Sequence, residues 1–232
     1  MSGIKHIGVI IDGNRRYAKK TGLSFDEVYK LGAKKVYEVI RFIFGQTDIS
    51  ELSIYALSYD NLLRKSKELD SVLQVQKEEF DNWFNDPFFE AQNVKVRFVG
   101  ELNILPKDVQ KSCYALAQRT GKNDGKILNI LIAYFGSKEI VRAVENILKR
   151  KDSLSKAKNL DVEELIWENL SVKNPVEMII RTGGGSRLSG FLPWHSEYAE
   201  LYTLDKLWPE IEVSDVKEAI AYYNSLEMKK GK

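Results

Sequence analysis

Two short stretches of the chain carry residue types that can hold phosphate. The first is Asp12-Gly13-Asn14-Arg15-Arg16, at the end of an apolar run. Gly13 permits a sharp turn and a close approach of backbone to a ligand. Free N–H groups at a helix start beyond it can hold an anion, and Arg15 and Arg16 can pair with phosphate oxygens. Asp12 would repel the same anion. A bridging cation resolves that conflict, and Mg2+ is the usual choice where a carboxylate meets diphosphate oxygens. The same five residues also suit a polar turn that only caps a helix, and the stretch by itself does not separate the two readings.

The second stretch is Arg181-Thr182-Gly183-Gly184-Gly185-Ser186-Arg187-Leu188-Ser189-Gly190. Three consecutive glycines also occur in loops that bind nothing. Here they stand with Arg181, Arg187 and Ser189, a set able to wrap a diphosphate in backbone donors, two guanidinium forks and hydroxyls. Two anion sites imply two phosphorylated substrates. Neither GxGxxG nor GxxxxGK[ST] occurs, so the spacing is not that of a dinucleotide fingerprint or a P-loop.

Both stretches must be held by regular elements. Residues 4–11 form a short apolar run that ends at the Asp12-Gly13-Asn14 turn signal. Further strands are predicted at 52–57, 94–99, 127–133, 176–180 and 201–204. Helical spacing of apolar residues predicts helices at 23–44, 66–84, 105–119, 137–149, 162–170 and 213–226. The basic, serine-containing residues 149–158 are the best candidate for a mobile loop. Alternation of strands and helices predicts one α/β domain with a central, mostly parallel six-stranded sheet flanked by helices. Ligands then sit beyond the carboxyl ends of the strands, where both phosphate stretches fall.

Composition narrows the class. With 232 residues, 44% hydrophobic and 29% charged, the chain can bury a sizeable core. A formal net charge of +2 gives no general affinity for polyanions, so no nucleic-acid partner is expected. Cys113 is the single cysteine and is expected to be a small buried hydrophobe, which fits a reducing cytoplasm. No charged-then-apolar leader pattern opens the chain, and no apolar run approaches the roughly 20 residues that span a bilayer. The expected location is the cytoplasm, at most peripheral to the membrane.

The order of motifs makes the reading specific. Residues 6–18, beginning His6-Ile7-Gly8 and holding Asp12-Gly13-Asn14, resemble the opening motif of the cis-prenyltransferases, the undecaprenyl diphosphate synthase-like isoprenyl diphosphate synthases. Residues 52–61 followed by Arg64 resemble that family's second block, and residues 93–100, Leu105-Pro106 and 128–140 its middle blocks. Residues 180–189, Phe191-Leu192-Pro193-Trp194, Tyr198-Ala199-Glu200-Leu201-Tyr202 and Leu207-Trp208-Pro209 resemble its closing signature. There is no DDxxD stretch, the metal signature of the all-helical prenyl synthases and terpene cyclases.

The resemblance implies an Mg2+-dependent enzyme that condenses isopentenyl diphosphate with an allylic prenyl diphosphate, makes cis double bonds and releases diphosphate. It implies that Asp12 and Glu200 serve the metal. Gly13, Asn14, Arg15, Arg16 and Arg64 would bind the allylic diphosphate. Arg181, Arg187 and Ser189 would bind isopentenyl diphosphate. Asn14 and Ser58 would assist deprotonation, with Asn61 in the same catalytic group. The apolar stripe of residues 69–84, with Leu31, Val36 and Phe42, would line a hydrophobic tunnel; the same stripe also suits ordinary core packing. A homodimer is implied, with membrane contact possible through a lipid product.

Several positions depart from the family pattern. Phe25 and Tyr29 stand where relatives carry arginine and histidine, and Leu62 replaces an aromatic. Phe135 and Ser137 replace glycine and arginine, and Gly185 replaces glutamate. Lys229-Lys230-Gly231 holds the place of an Arg-x-Gly element that homodimeric relatives send into the neighbouring site, so a bidentate fork becomes a point charge. Loss of charge at Phe25 and Tyr29 motivates a rival within the class: a short-chain or non-head-to-tail condensing enzyme. A non-catalytic subunit of a heteromeric enzyme is a further rival, opposed by retention of Asp12, Gly13 and Asn14. His6 is expected to pack at a strand start, and His195 to make a structural hydrogen bond.

Overall fold

A computed structural model describes residues 3–62, 67–150 and 161–226. Arg64, most of the expected 149–158 loop and Lys229-Lys230-Gly231 lie outside these described residues.

Six strands form one sheet: β1 (His6–Ile10), β2 (Glu51–Ser58), β3 (Val94–Val99), β4 (Lys126–Tyr134), β5 (Met178–Arg181) and β6 (Glu200–Thr203). Their spatial order is β3-β4-β2-β1-β5-β6, and every neighbouring pair is parallel. The expected mostly parallel sheet is thus wholly parallel. Parallel pairing needs long crossovers, whose helices cover both faces. That is why β1 is buried at all five positions and, after His6, reads as a continuous apolar run.

The helices among the described residues are α1 (Asn14–Thr21), α2 (Phe25–Gln46), α3 (Tyr59–Leu62), α4 (Lys67–Asn85), α5 (Phe88–Ala91), α6 (Lys107–Arg119), α7 (Gly136–Lys149), α8 (Val162–Asn169) and α9 (Val213–Ser225). The sequence predicts one helix from residue 23, yet α1 precedes it as a separate element. Its residues are mostly polar and cationic, so it offers little apolar periodicity to read. Ser24 restarts the chain as α2 through a capping box: its hydroxyl accepts from the Glu27 N–H at 3.3 Å, and its own N–H donates to Glu27 at 2.9 Å.

The larger part of the core lies on the face covered by α2, α4, α6 and α9. A smaller apolar cluster, including Tyr134, Val172, Phe191 and Leu192, covers the other face. Trp208 is almost wholly buried and donates its indole N–H to the Gly32 carbonyl at 2.9 Å, tying the segment after β6 to α2. Cys113 is fully buried in α6. His6 is buried at the start of β1, its Nε2 2.8 Å from the Ser53 hydroxyl. His195 is buried with Nε2 2.9 Å from the Val172 carbonyl. Both histidines are therefore structural. Among the described residues no helix is long and apolar enough to cross a membrane.

The strand order reverses at β1: the chain leaves it towards β2 on one side and returns as β5 on the other. The crevice at such a reversal, beyond the carboxyl ends, is where open α/β sheets bind ligands.

Candidate active site

Asp12 lies just past β1, and Arg181 is the last residue of β5, its immediate neighbour in the sheet. The two phosphate stretches, far apart in sequence, therefore meet. Thr182 locks them: its hydroxyl accepts from the Asp12 N–H at 3.0 Å and donates to the Asp12 carbonyl at 2.7 Å. Arg181 Nη2 donates to Asp12 Oδ2 at 2.7 Å, and its Nη1 donates to the Ser189 hydroxyl at 3.0 Å and to the Arg187 carbonyl. Arg181 is buried, and its Nε has no partner among the described residues. Gly185 makes room for that guanidinium, since a Cβ there would stand 2.6 Å from Nε.

Gly13 has φ +116°, and a Cβ on it would stand 2.9 Å from the Leu207 side chain. This close turn starts α1 without a side-chain cap. The first N–H groups of a helix lack intrahelical partners and face outward as anion donors. Arg16, on the first turn, donates to the Gly183 carbonyl at 2.7 Å and to Asp12 Oδ1 at 3.2 Å, so it too bridges the two loops. Asn14 Oδ1 is buried without a partner among the described residues.

These groups stand at the mouth of a cavity of about 420 Å³ that runs between α2 and α4. Asp12, Asn14, Ser58, Asn61, Arg181 and Ser189 all line it. The Ser58 hydroxyl accepts the Asn61 N–H at 3.1 Å, which fixes α3 at the rim. Deeper, the walls are Val36, Ala56, Val72, Val75, Phe80 and Ile130. A polar, cationic mouth with a largely apolar interior can hold a molecule with an anionic head and a hydrocarbon tail.

Comparison with known proteins agrees with this geometry. The undecaprenyl diphosphate synthase family model matches residues 10–231. The chain belongs to the cis-prenyltransferase family. It is 36% identical, over 98% of its length and 95% of the relative's, to a tritrans,polycis-undecaprenyl-diphosphate synthase (geranylgeranyl-diphosphate specific) of Pyrobaculum aerophilum. It is 33% identical to an isoprenyl transferase of Thermus thermophilus, over 98% of this chain and 89% of that protein. Among solved structures, lavandulyl diphosphate synthase of Lavandula x intermedia in complex with dimethylallyl diphosphate superposes with a TM-score of 0.89 at 25% identity, covering 96% of each chain.

Within this cis-prenyltransferase some expected residues stand apart from the cavity. Arg15 points to α4, where its Nε donates to both oxygens of Glu68 at 2.6 and 2.8 Å. Arg187 is exposed on its loop. Glu200 opens β6 opposite Met178, whereas Arg181 pairs with Thr203. Three residues of strand, about 10 Å, thus separate Glu200 from the end of the sheet that carries Asp12, and one chain does not bring the two expected metal carboxylates together. The expected tunnel wall is also revised. Leu31 and Phe84 are exposed and Phe42 is core, so of the expected wall Val36, Val72, Val75, Phe80 and Trp83 border the cavity.

Tyr29 and Phe25 divide. Their rings lie 6.5 Å apart, but only Tyr29 lines the cavity. Its hydroxyl donates to Glu68 at 2.7 Å, so its edge is polar rather than an apolar wall. Burial and the Glu68 carboxylate raise the phenol above its ordinary range and keep it protonated. The sequence reading missed Glu68, because its partners lie 39 and 53 residues away and no local spacing announces them. It missed Phe135 as a cavity residue as well.

Proposed function

We infer that the protein is a prenyltransferase that condenses isopentenyl diphosphate with an allylic prenyl diphosphate. We propose that the two diphosphates bind side by side at the cavity mouth, on either side of the Asp12–Arg181 pair. The allylic diphosphate lies on the Gly13 turn, against the first N–H groups of α1 and Arg16, with its hydrocarbon in the cavity. Isopentenyl diphosphate lies on the 181–189 loop, held by Arg181, Ser189 and, once its side chain folds inward, Arg187. The observation that carries this reading is the direct Asp12–Arg181 contact of 2.7 Å, which joins both anion loops at the rim of an apolar cavity.

The donor set fits Mg2+. Asp12 keeps about a third of its side chain exposed at the mouth, and Mg2+ is commonly held by one or two carboxylates with substrate phosphates completing the shell. When bound there, Mg2+ neutralises charge that develops on the departing diphosphate. The preorganised guanidinium groups of Arg16 and Arg181 stabilise the same charge. The terminal double bond of isopentenyl diphosphate then attacks the allylic carbon, and loss of one proton forms the new double bond. Asn14 Oδ1, a buried acceptor with no partner among the described residues, and Ser58 stand at the mouth to orient the donor carbon as that proton leaves. Asn61 holds Ser58 in place.

Glu200 could reach this metal from a second copy of the chain, and we place the protein as a homodimer for that reason. We place it in the cytoplasm, meeting the membrane through its lipid product. The test is chelation together with Asp12→Ala. Chelator should abolish condensation and added Mg2+ restore it, and Asp12→Ala should lower turnover roughly 10²-fold or more. Full activity in excess chelator, or near-normal turnover of the variant, would refute the assignment.

A further inference from the structure

The cavity wall carries polar groups where a hydrocarbon would have to run. Glu68, bound to Arg15, marks the mouth end of α4. From there one stripe of α4 borders the cavity: Val72, Val75, Gln76, Glu79, Phe80 and Trp83. At 1.5 Å rise per residue, Gln76 lies about 12 Å and Trp83 about 22 Å beyond Glu68. The outer part of the stripe is apolar. The inner part is not.

Gln76 donates its side-chain N–H to the Ala56 carbonyl at 3.1 Å, a contact that fixes the orientation of the amide. Its Oε1 is thereby left buried and without a partner among the described residues. Almost one turn deeper stands Glu79, half-buried, its carboxyl pushed above the ordinary carboxylate range chiefly by burial. It faces the buried Trp83 indole N–H, which offsets part of that rise. An orphaned amide oxygen, a half-buried carboxyl and a buried indole N–H thus cluster in the inner half of an otherwise apolar cavity.

Water can satisfy such groups, and a hydrocarbon cannot. An isoprene unit adds four chain bonds, about 5 Å when extended. Roughly two units therefore fit between the mouth and Gln76, and the next displaces water from groups it leaves unpaired. Removing a partner from a buried polar group costs about 5- to 150-fold in equilibrium terms. We propose that Gln76, Glu79 and Trp83 form a polar floor that stops the growing hydrocarbon and so sets product length. The inference rests on the prenyl-transfer reading and adds the residues that end elongation.

The test compares the unaltered protein with a Gln76→Leu/Glu79→Leu double variant and with Glu79→Gln, which keeps the floor polar. Each is given excess isopentenyl diphosphate and a short allylic diphosphate, and product masses are read. The double variant should shift its main product upward by at least one isoprene unit, and Glu79→Gln should keep the original length. Gln76→Met, close in volume, carries the same test if the double variant does not fold. A second readout needs no catalysis. Prenyl monophosphates of two to six units are titrated by calorimetry without metal. Binding to the unaltered protein should stop tightening once chains pass the floor, while the double variant should gain roughly tenfold or more for the next unit. Condensation with unchanged product lengths and an unchanged break in affinity would overturn the polar floor alone. Failure of the unaltered protein to incorporate isopentenyl diphosphate would remove the prenyl-transfer reading, and this inference with it.

Discussion

Gly183→Ala should weaken the allylic substrate although residue 183 belongs to the other loop. Gly183 has φ +78°, where an L side chain costs about 1–2 kcal/mol. An added Cβ would stand 2.2 Å from Arg16 Nη2, well inside contact distance. Arg16 is the flexible partner, so its guanidinium must swing away and lose both the Gly183 carbonyl at 2.7 Å and Asp12 at 3.2 Å. The allylic diphosphate then loses one charge-assisted donor, worth about 1.5–3 kcal/mol, or roughly 10- to 150-fold in affinity. Arg181 stays anchored by Asp12 and Ser189, so the isopentenyl diphosphate site should change little. The assay is steady-state kinetics with each substrate varied in turn, beside urea unfolding. The expected outcome is a raised allylic KM, a nearly constant isopentenyl diphosphate KM and a stability loss of about 1–2 kcal/mol. Arg16→Ala should reproduce the KM change without that stability loss. If both variants raised only the KM for isopentenyl diphosphate, the two substrates would be assigned to the wrong loops.

Arg187→Ala should act in the opposite sense, raising the KM for isopentenyl diphosphate by roughly 10- to 150-fold with little effect on folding, because the side chain is exposed. An effect confined to the allylic substrate would contradict it. His6 and His195 are held below the ordinary imidazole range, chiefly by burial. Their neutral forms fit the fold, so the stability they contribute is complete above about pH 6.5 and is lost as pH falls towards the folded values, by about 1.4 kcal/mol per pH unit for each. Urea unfolding between pH 7.5 and 5.5 reads this directly, and His6→Gln should flatten part of the slope; a pH-independent midpoint in the unaltered protein would contradict the assignment.

The sheet was legible because its strands are buried on both faces. Runs such as Ile7 to Ile10 and Leu128 to Ile132 are almost wholly buried and almost wholly apolar. The mouth was legible for a different reason: Asp12, Arg16, Arg181 and Ser189 carry chemistry that a bland turn does not need, and a parallel sheet places strand ends together. What composition could not show was contact across the chain. Arg15 reads as a phosphate ligand from its neighbours, yet the fold sets it on Glu68. Glu200 reads as a metal ligand from its motif, yet β6 starts at the far end of the sheet. Gln76 and Glu79 vanish from a periodicity reading that follows only apolar positions, although both fall on the face that Val72 and Trp83 define.

The most direct test of prenyl transfer at this mouth is incubation of the unaltered protein with isopentenyl diphosphate, an allylic diphosphate panel and Mg2+, with products read by mass and NMR. The expected result is release of diphosphate and growth of the allylic chain by whole isoprene units, each new double bond cis, with no growth when chelator is present. Intact substrates under these conditions, or growth that persists in chelator, would contradict the account.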